Sequence, residues 1–155
     1  MIANKLQQYL TDHHIPYEVV PHTRSATSSE TARVAHVPGS KVVKSVVIHH
    51  ELGYLLALVP STHRVDLDTL QSVLDRRLGL AREEDVAELF DDCAIGAIPP
   101  LGAAYDVPVL IDESLVGSSD MYFEGGDHAT LVHVSGRAFD ELTQQARRAR
   151  FSHPA

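Results

Sequence analysis

The sequence predicts a mixed α/β fold, with parallel and antiparallel strands in one sheet and helices packed around it. Three observations carry this prediction. Helix-like and strand-like segments alternate along the 155 residues. Several strand pairs are joined by turns too short to hold a crossover helix, which excludes a simple doubly wound parallel sheet. The run "KVVKSVVIHH" (41–50) is apolar at both parities, the pattern of a strand buried on both faces.

Residues 3–13 place Leu6, Tyr9 and Leu10 at helical spacing, and "HHIP" ends that helix; "YEVVPH" (17–22) is a short strand. "TSSETARVAHV" opens with Thr27 and has Glu30 three residues on, a capping box that starts a helix to about Val37. Pro38-Gly39 breaks it. The strand at 41–50 and "YLLALVP" (54–60) flank a turn and form a hairpin. "VDLDTLQSVLDRRLG" spaces Leu67, Leu70, Val73, Leu74 and Leu78 as one helical stripe, stopped by Gly79. "REEDVAELF" is a shorter helix with an acidic first turn, which suits the macrodipole. Pro99-Pro100 and two glycines keep "CAIGAIPPLG" (93–102) irregular. "VPVLID" (107–112), "DMYFEGG" (120–126) and "ATLVHVSG" (129–136) read as strands. A closing helix over 137–150 turns Phe139, Leu142 and Ala146 inward.

With 44% apolar residues, the chain is long enough for one domain, 1–155, with a real core. No run reaches the roughly 18 apolar residues of a membrane span, and the N-terminus lacks the pattern of a signal peptide. A single cysteine, Cys93, allows no internal disulfide and fits a reducing cytoplasm. The formal charge of −8 disfavours a protein that coats nucleic acid, yet it allows a partner touched only at one end.

No Walker A loop, GxGxxG, HExxH or GxSxG is present, and Cys93 has no mark of a nucleophile. The paired histidines (His13-His14, His49-His50) and the pair His128/His133 fall on opposite faces of a strand, so neither a metal site nor a cofactor is expected. Three features remain. Lys44 sits mid-strand, where its ammonium must reach water, a carboxylate or an anionic ligand. "GAIPP" (96–100) can hold backbone N–H groups outward toward an oxygen. "ATSSE" presents the hydroxyls of Thr27 and Ser28 beside a helix start, where they either cap the helix or meet an anion.

The order of these motifs resembles a known family: "TSSETA", the lysine of "KVVKSVVI", "LALVP", "VDLDTL", "GAIPPLG", "VPVLID" and a final "GG…HATLVHVSG". It is similar to the YbaK/prolyl-tRNA synthetase-associated domain family, free-standing relatives of the editing domain of bacterial prolyl-tRNA synthetases, over about residues 5 to 145. The resemblance implies a barrel-like mixed sheet surrounded by helices. It also implies hydrolysis of the ester of a mischarged aminoacyl-tRNA (tRNA-Pro or a related tRNA), assisted by the free ribose hydroxyl of the terminal adenosine.

By the same resemblance Lys44 and Gly96 are the expected catalytic positions. Ala97, Ile98 and Pro100 shape the aminoacyl pocket, and Ser45 and His128 lie beside it with the Thr27–Ser28 hydroxyls. The implied partner is the acceptor end of an aminoacyl-tRNA, with a synthetase as a further candidate. Ser45 follows the lysine where several relatives have Asn or Thr, which leaves the amino acid removed open. Two alternatives stand beside this reading: a non-catalytic module that binds aminoacyl ends or a nucleotide, and a small-molecule ester hydrolase using the same pocket. Arg147, Arg148 and Arg150 form a basic cluster that either touches the acceptor stem or is a solvated helix face.

Overall fold

The computed structural model describes residues 2–155. Five α-helices and ten strands follow one another as α1 (Asn4–Asp12), β1 (Glu18–Pro21), α2 (Ser28–Val34), β2 (Val42–His50), β3 (Gly53–Pro60), β4 (His63–Val65), α3 (Leu67–Leu74), β5 (Gly79–Leu80), α4 (Glu83–Leu89), β6 (Val109–Asp112), β7 (Asp120–Glu124), β8 (Thr130–Ser135), α5 (Gly136–Leu142), β9 (Arg147–Ala149) and β10 (Ser152–Pro154). The main sheet has the order β1-β8-β7-β2-β3-β6-β9, with β5 also on β2, and a small second sheet joins β10 to β4. It is mixed, as the short connections predict. β2 and β3 form the antiparallel hairpin, whereas β2 meets β7, and β3 meets β6, in parallel.

β2 is central, and its alternation divides two cores. Val43 and Val47 join Leu56, Leu58, Phe123 and Val132 in the larger cluster, which also receives Leu6 and Leu10 of α1, Phe139 of α5 and Ile98. Ile48, Leu55, Ala57 and Val59 face the other way, onto Leu70 of α3 and Phe151. Period-two alternation thus places Ser45 on the face of the larger core and Lys44 on the other. Both β2 and β3 are apolar on two faces because both faces are covered.

Four expectations need correction. The α2 helix stops at Val34, since Ala35 already serves as its C-cap and His36 takes a left-handed φ of 59°. The α3 stripe ends at Leu74: Asp75 adopts φ 52°, its N–H donates to Gln71 O, and the Gln71 Oε1 accepts the Leu78 N–H. Leu78 therefore reaches the second core from outside the helix, and Gly79-Leu80 becomes a strand. The closing helix ends at Leu142, eight residues early. Beyond it only Ala146 and Ala149 are apolar up to Phe151, so a longer helix would bury little. The chain instead adds β9 to the β6 edge and delivers Phe151 inward, its N–H donating to Asp112 Oδ1 at 2.8 Å. Arg147, Arg148 and Arg150 consequently lie on and after a strand, all exposed, not along a helix face.

Candidate functional site

The β7–β8 turn, the irregular 91–101 segment and the stretch before α2 converge at one end of the sheet. His128 sits in the turn with φ 62° and is buried. Asp127 fixes the turn by accepting the Ala129 N–H at 2.9 Å and the Thr130 hydroxyl at 3.0 Å. The His128 Nε2 lies 2.5 Å from Ile95 O. A carbonyl only accepts, so Nε2 carries a proton and donates it to this oxygen. The same turn accepts the Ser25 N–H on His128 O and the Ala94 N–H on Gly126 O, tying the two other segments to it.

Gly96 fits this junction for a steric reason. Its φ of +86° is one that only glycine adopts freely, and a Cβ there would meet His128 Cε1 at 3.1 Å and Ala26 O at 3.6 Å. A cavity of about 420 Å³ opens beside it, lined by Arg24, Ser25, Ala26, Glu30, Ile95 and His128. Next in the loop, Ala97 and Ile98 are buried side chains, Ile98 in the larger core. The Ala97 N–H is taken by Ala94 O, which leaves those of Gly96 and Ile98 without a partner among the described residues. Pro100 is buried and lines a different cavity of about 600 Å³, shared with Leu142 and Arg147.

The other expected residues are placed as follows. Thr27 caps α2, its Oγ1 accepting the Glu30 N–H at 3.1 Å, and Ser28 is buried behind it. The Ser45 hydroxyl is buried with no hydrogen-bond partner among the described residues. Lys44 is half-buried and donates from Nζ to His63 O at 2.6 Å. Burial first, and the Arg64 charge second, hold its ammonium below the usual lysine range. No carboxylate pairs with it among the described residues, so the ion-pair alternative falls away. Lys44 does not line the cavity beside Gly96. Because Val42 pairs with Tyr122 and Val43 with Phe123, alternation puts Lys44 on the same sheet face as Glu124.

Cys93 is poorly placed for a nucleophile. Burial pushes its thiol up to about 12, and Sγ lies 3.4 Å from both Tyr105 Oη and Asp92 Oδ1. Among the described residues no group of three or more His, Cys, Asp or Glu is placed to hold a metal ion, and no helix is long and apolar enough to cross a membrane.

Residues 22–142, most of the chain and all of this junction, match the model of the aminoacyl-tRNA editing domain. The chain belongs to that family. Its editing domain is 33% identical over 116 residues to the proline–tRNA ligase of Thermotoga neapolitana, covering 74% of this chain and 20% of that protein. It is 35% identical over 78 residues to the proline–tRNA ligase of Thermosipho africanus, 50% of this chain and 14% of that protein. The editing domain thus spans about a fifth or less of the curated relatives it matches. Among solved structures, a proposed trans-editing enzyme for prolyl tRNA synthetase superposes with a TM-score of 0.82 at 29% identity, covering 96% of this chain and 95% of that one. A hypothetical protein superposes with a TM-score of 0.85 over 97% and 100% of the two chains, at 22% identity, and shows the shared fold.

Sequence reasoning missed several residues of this editing domain. Arg24 and Ser25 lie just upstream of the "ATSSE" stretch, and Glu30 lies within it as the capping-box acid. Glu124 is 2% exposed, at the end of β7, and bonds to Thr31 of α2. A carboxylate at the end of a short strand resembles an ordinary solvated strand end. Only the packing of α2 over that end shows otherwise.

Proposed function

We propose that this editing domain acts in trans as a deacylase, hydrolysing the ester that joins a wrong amino acid to the terminal adenosine of a tRNA. The observation that carries this reading is the family match over residues 22–142, together with likeness to a free-standing proposed trans-editing enzyme along nearly its whole length. The relatives' names make tRNA-Pro the first substrate to try, and a domain that edits aminoacyl-tRNA is expected to work in the cytoplasm. In the reaction, water adds to the ester carbonyl carbon, and the tetrahedral intermediate collapses with loss of the ribose oxygen, which takes up a proton. Amino acid and deacylated tRNA are the products.

The site offers electrostatic help more than a nucleophile. Cys93 is held as a thiol, and the His128 ring is occupied with Ile95 O. The N–H groups of Gly96 and Ile98 are the candidates to stabilise the developing oxyanion, each well-placed donor being worth about 2.7–4 kcal/mol. With the adenosine's own free hydroxyl positioning the water, no side-chain base is needed. Lys44 keeps two N–H donors beyond the one given to His63 O and can hold a single backbone phosphate. Few phosphates need be touched, which a chain of net charge −8 allows.

One observation favours a narrower second reading of Lys44. Its bond to His63 O ties β2 to β4, so the residue can act as a strand lock alone. The deciding experiment is a panel of mischarged tRNAs, each with a normal or a 2′-deoxy terminal adenosine. Hydrolysis above buffer for at least one normal substrate, and severe loss with the deoxy form, are expected. No hydrolysis across the panel leaves only a binding module. Equal rates with and without the hydroxyl point to a general ester hydrolase.

A further inference from the structure

A chain of three buried groups runs from the sheet to the cavity beside His128. Glu124 Oε1 lies 2.7 Å from Thr31 Oγ1, and Thr31 Oγ1 lies 2.5 Å from Ser25 Oγ. Thr31 Oγ1 also lies 2.9 Å from the carbonyl oxygen of Thr27. Ser25, Thr31 and Glu124 are all at most 4% exposed, yet Ser25 lines the cavity.

Proton counting fixes the directions. A threonine hydroxyl has one proton and two lone pairs. The Thr27 carbonyl can only accept and already takes the Thr31 N–H at 2.9 Å, so the one Thr31 hydroxyl proton is directed to Glu124 Oε1 and this carbonyl. None is left for Ser25, so Ser25 donates to Thr31. The Ser25 proton therefore points inward to Thr31, and its oxygen turns both lone pairs toward the cavity.

The Glu124 carboxyl has little else around it: among the described residues no ion pair reaches Glu124, and its Oε2 has no hydrogen-bond partner. The titratable groups near it are His22 beyond β1 and His128 and Asp127 in the β7–β8 turn. Burial, the largest effect, raises its carboxyl above the ordinary range against the opposing pull of Thr31 and the two histidines.

We infer that Glu124 and Thr31 are positioning residues that make Ser25 an obligate hydrogen-bond acceptor, and that Ser25 takes an N–H of the α-ammonium group of the aminoacyl end. This rests on the deacylase reading of the same cavity. Glu30 lines the cavity too and adds a carboxylate suited to a cation. The inference supplies what the backbone donors of the Gly96 loop lack: a way to recognise the amine of an amino acid.

Two measurements on the full chain test it. The first is binding of 3′-alanylamino-3′-deoxyadenosine, a stable amide, against its propionyl counterpart without the amine, followed by calorimetry. The wild type should prefer the amine about 10-fold or more, the equivalent of one hydrogen bond to a charged group. Ser25→Ala and Thr31→Val should erase that preference while leaving the propionyl compound's affinity within about two-fold. The isosteric Glu124→Gln keeps an oxygen that accepts from Thr31 and should retain the preference. Equal binding of the two compounds to wild type, or an undiminished preference in Ser25→Ala, overturns the inference. The second is a carbon-13 NMR titration of the glutamate carboxyls. One resonance, absent in Glu124→Gln, should titrate above the ordinary glutamate range. If every glutamate titrates within that range, the burial of Glu124 behind Thr31 is wrong and the positioning role falls. If neither compound binds while the raised carboxyl is found, the aminoacyl reading of the cavity fails and takes the Ser25 role with it.

Discussion

The imidazole of His128 stands where a side chain on residue 96 would have to go: a Cβ on Gly96 would lie 3.1 Å from its Cε1. The ring is not free to swing away, because Nε2 is bonded to Ile95 O. Gly96→Ala must therefore strain a backbone at φ +86° and displace the ring together. The expected cost is about 1–3 kcal/mol of stability, read by urea unfolding. Deacylation should fall further than stability, since the loop's donors move with the strain. A Gly96→Ala protein of unchanged rate would remove this loop from the reaction.

His128 itself should be replaceable only by a residue that can still donate to Ile95 O. His128→Ala leaves the part-buried Ile95 carbonyl bond unmade, at about 1–3 kcal/mol, and should lower kcat/KM by roughly 5- to 150-fold if the loop geometry is what it holds. His128→Gln retains a donor and should recover part of the loss. Steady-state kinetics of both variants decide this. Alanine and glutamine variants of equal activity would show that the ring's bond to the loop is incidental.

Lys44 was legible in the sequence because an ammonium between two Val-Val pairs breaks a local pattern. The Gly96 loop was legible because Pro-Pro and glycine forbid regular structure. The hairpin, the mixed sheet and the Thr27 cap follow from local periodicity and capping chemistry in the same way. What stayed hidden depends on distant partners. Nothing in "TQQARRAR" shows that its backbone is wanted by the β6 edge, so a helix is the natural reading there. Nor does "DMYFEGG" show that α2 covers its glutamate. Tertiary pairing decided both cases against local propensity. Arg24 and Ser25 carry no local signal of their own, because capping already accounts for the hydroxyls of the adjoining "ATSSE".

Lys44→Met separates the two readings of that residue. The thioether keeps much of the apolar stem but removes a half-buried ammonium whose burial opposes its charge. Folding stability at neutral pH should therefore stay within about 1 kcal/mol of wild type, because the lost bond to His63 O is offset by the desolvation no longer incurred. Deacylation should drop more than 10-fold if the remaining N–H groups hold substrate. Unchanged rates with lowered stability would make Lys44 a strand lock.

Cys93 gives a clean negative control. A thiol pushed up to about 12 by burial is almost entirely protonated at pH 8. Iodoacetamide should leave the native protein unmodified under conditions that alkylate it in urea, as mass spectrometry would show. Cys93→Ala should keep full activity. Rapid native alkylation accompanied by loss of deacylation would reopen a covalent mechanism.

Glu124 sets a pH signature on folding itself. Its carboxyl is raised above the ordinary 4.5 by burial, so the folded chain holds a proton that the unfolded chain has released. Between 4.5 and the raised folded value the unfolded state binds fewer protons, and stability therefore falls as pH rises through that window. Below 4.5 both states are protonated and the contribution is fully present. Glutamine mimics the neutral acid but cannot ionise. Glu124→Gln should match wild type near the acidic end and gain on it steadily as pH rises, until the folded carboxyl is ionised and the difference levels off. Urea unfolding of both proteins across that range measures the difference directly. A gap that stays constant with pH would mean that Glu124 has the same pKa folded and unfolded, and that its burial beside Thr31 is matched by a charge partner.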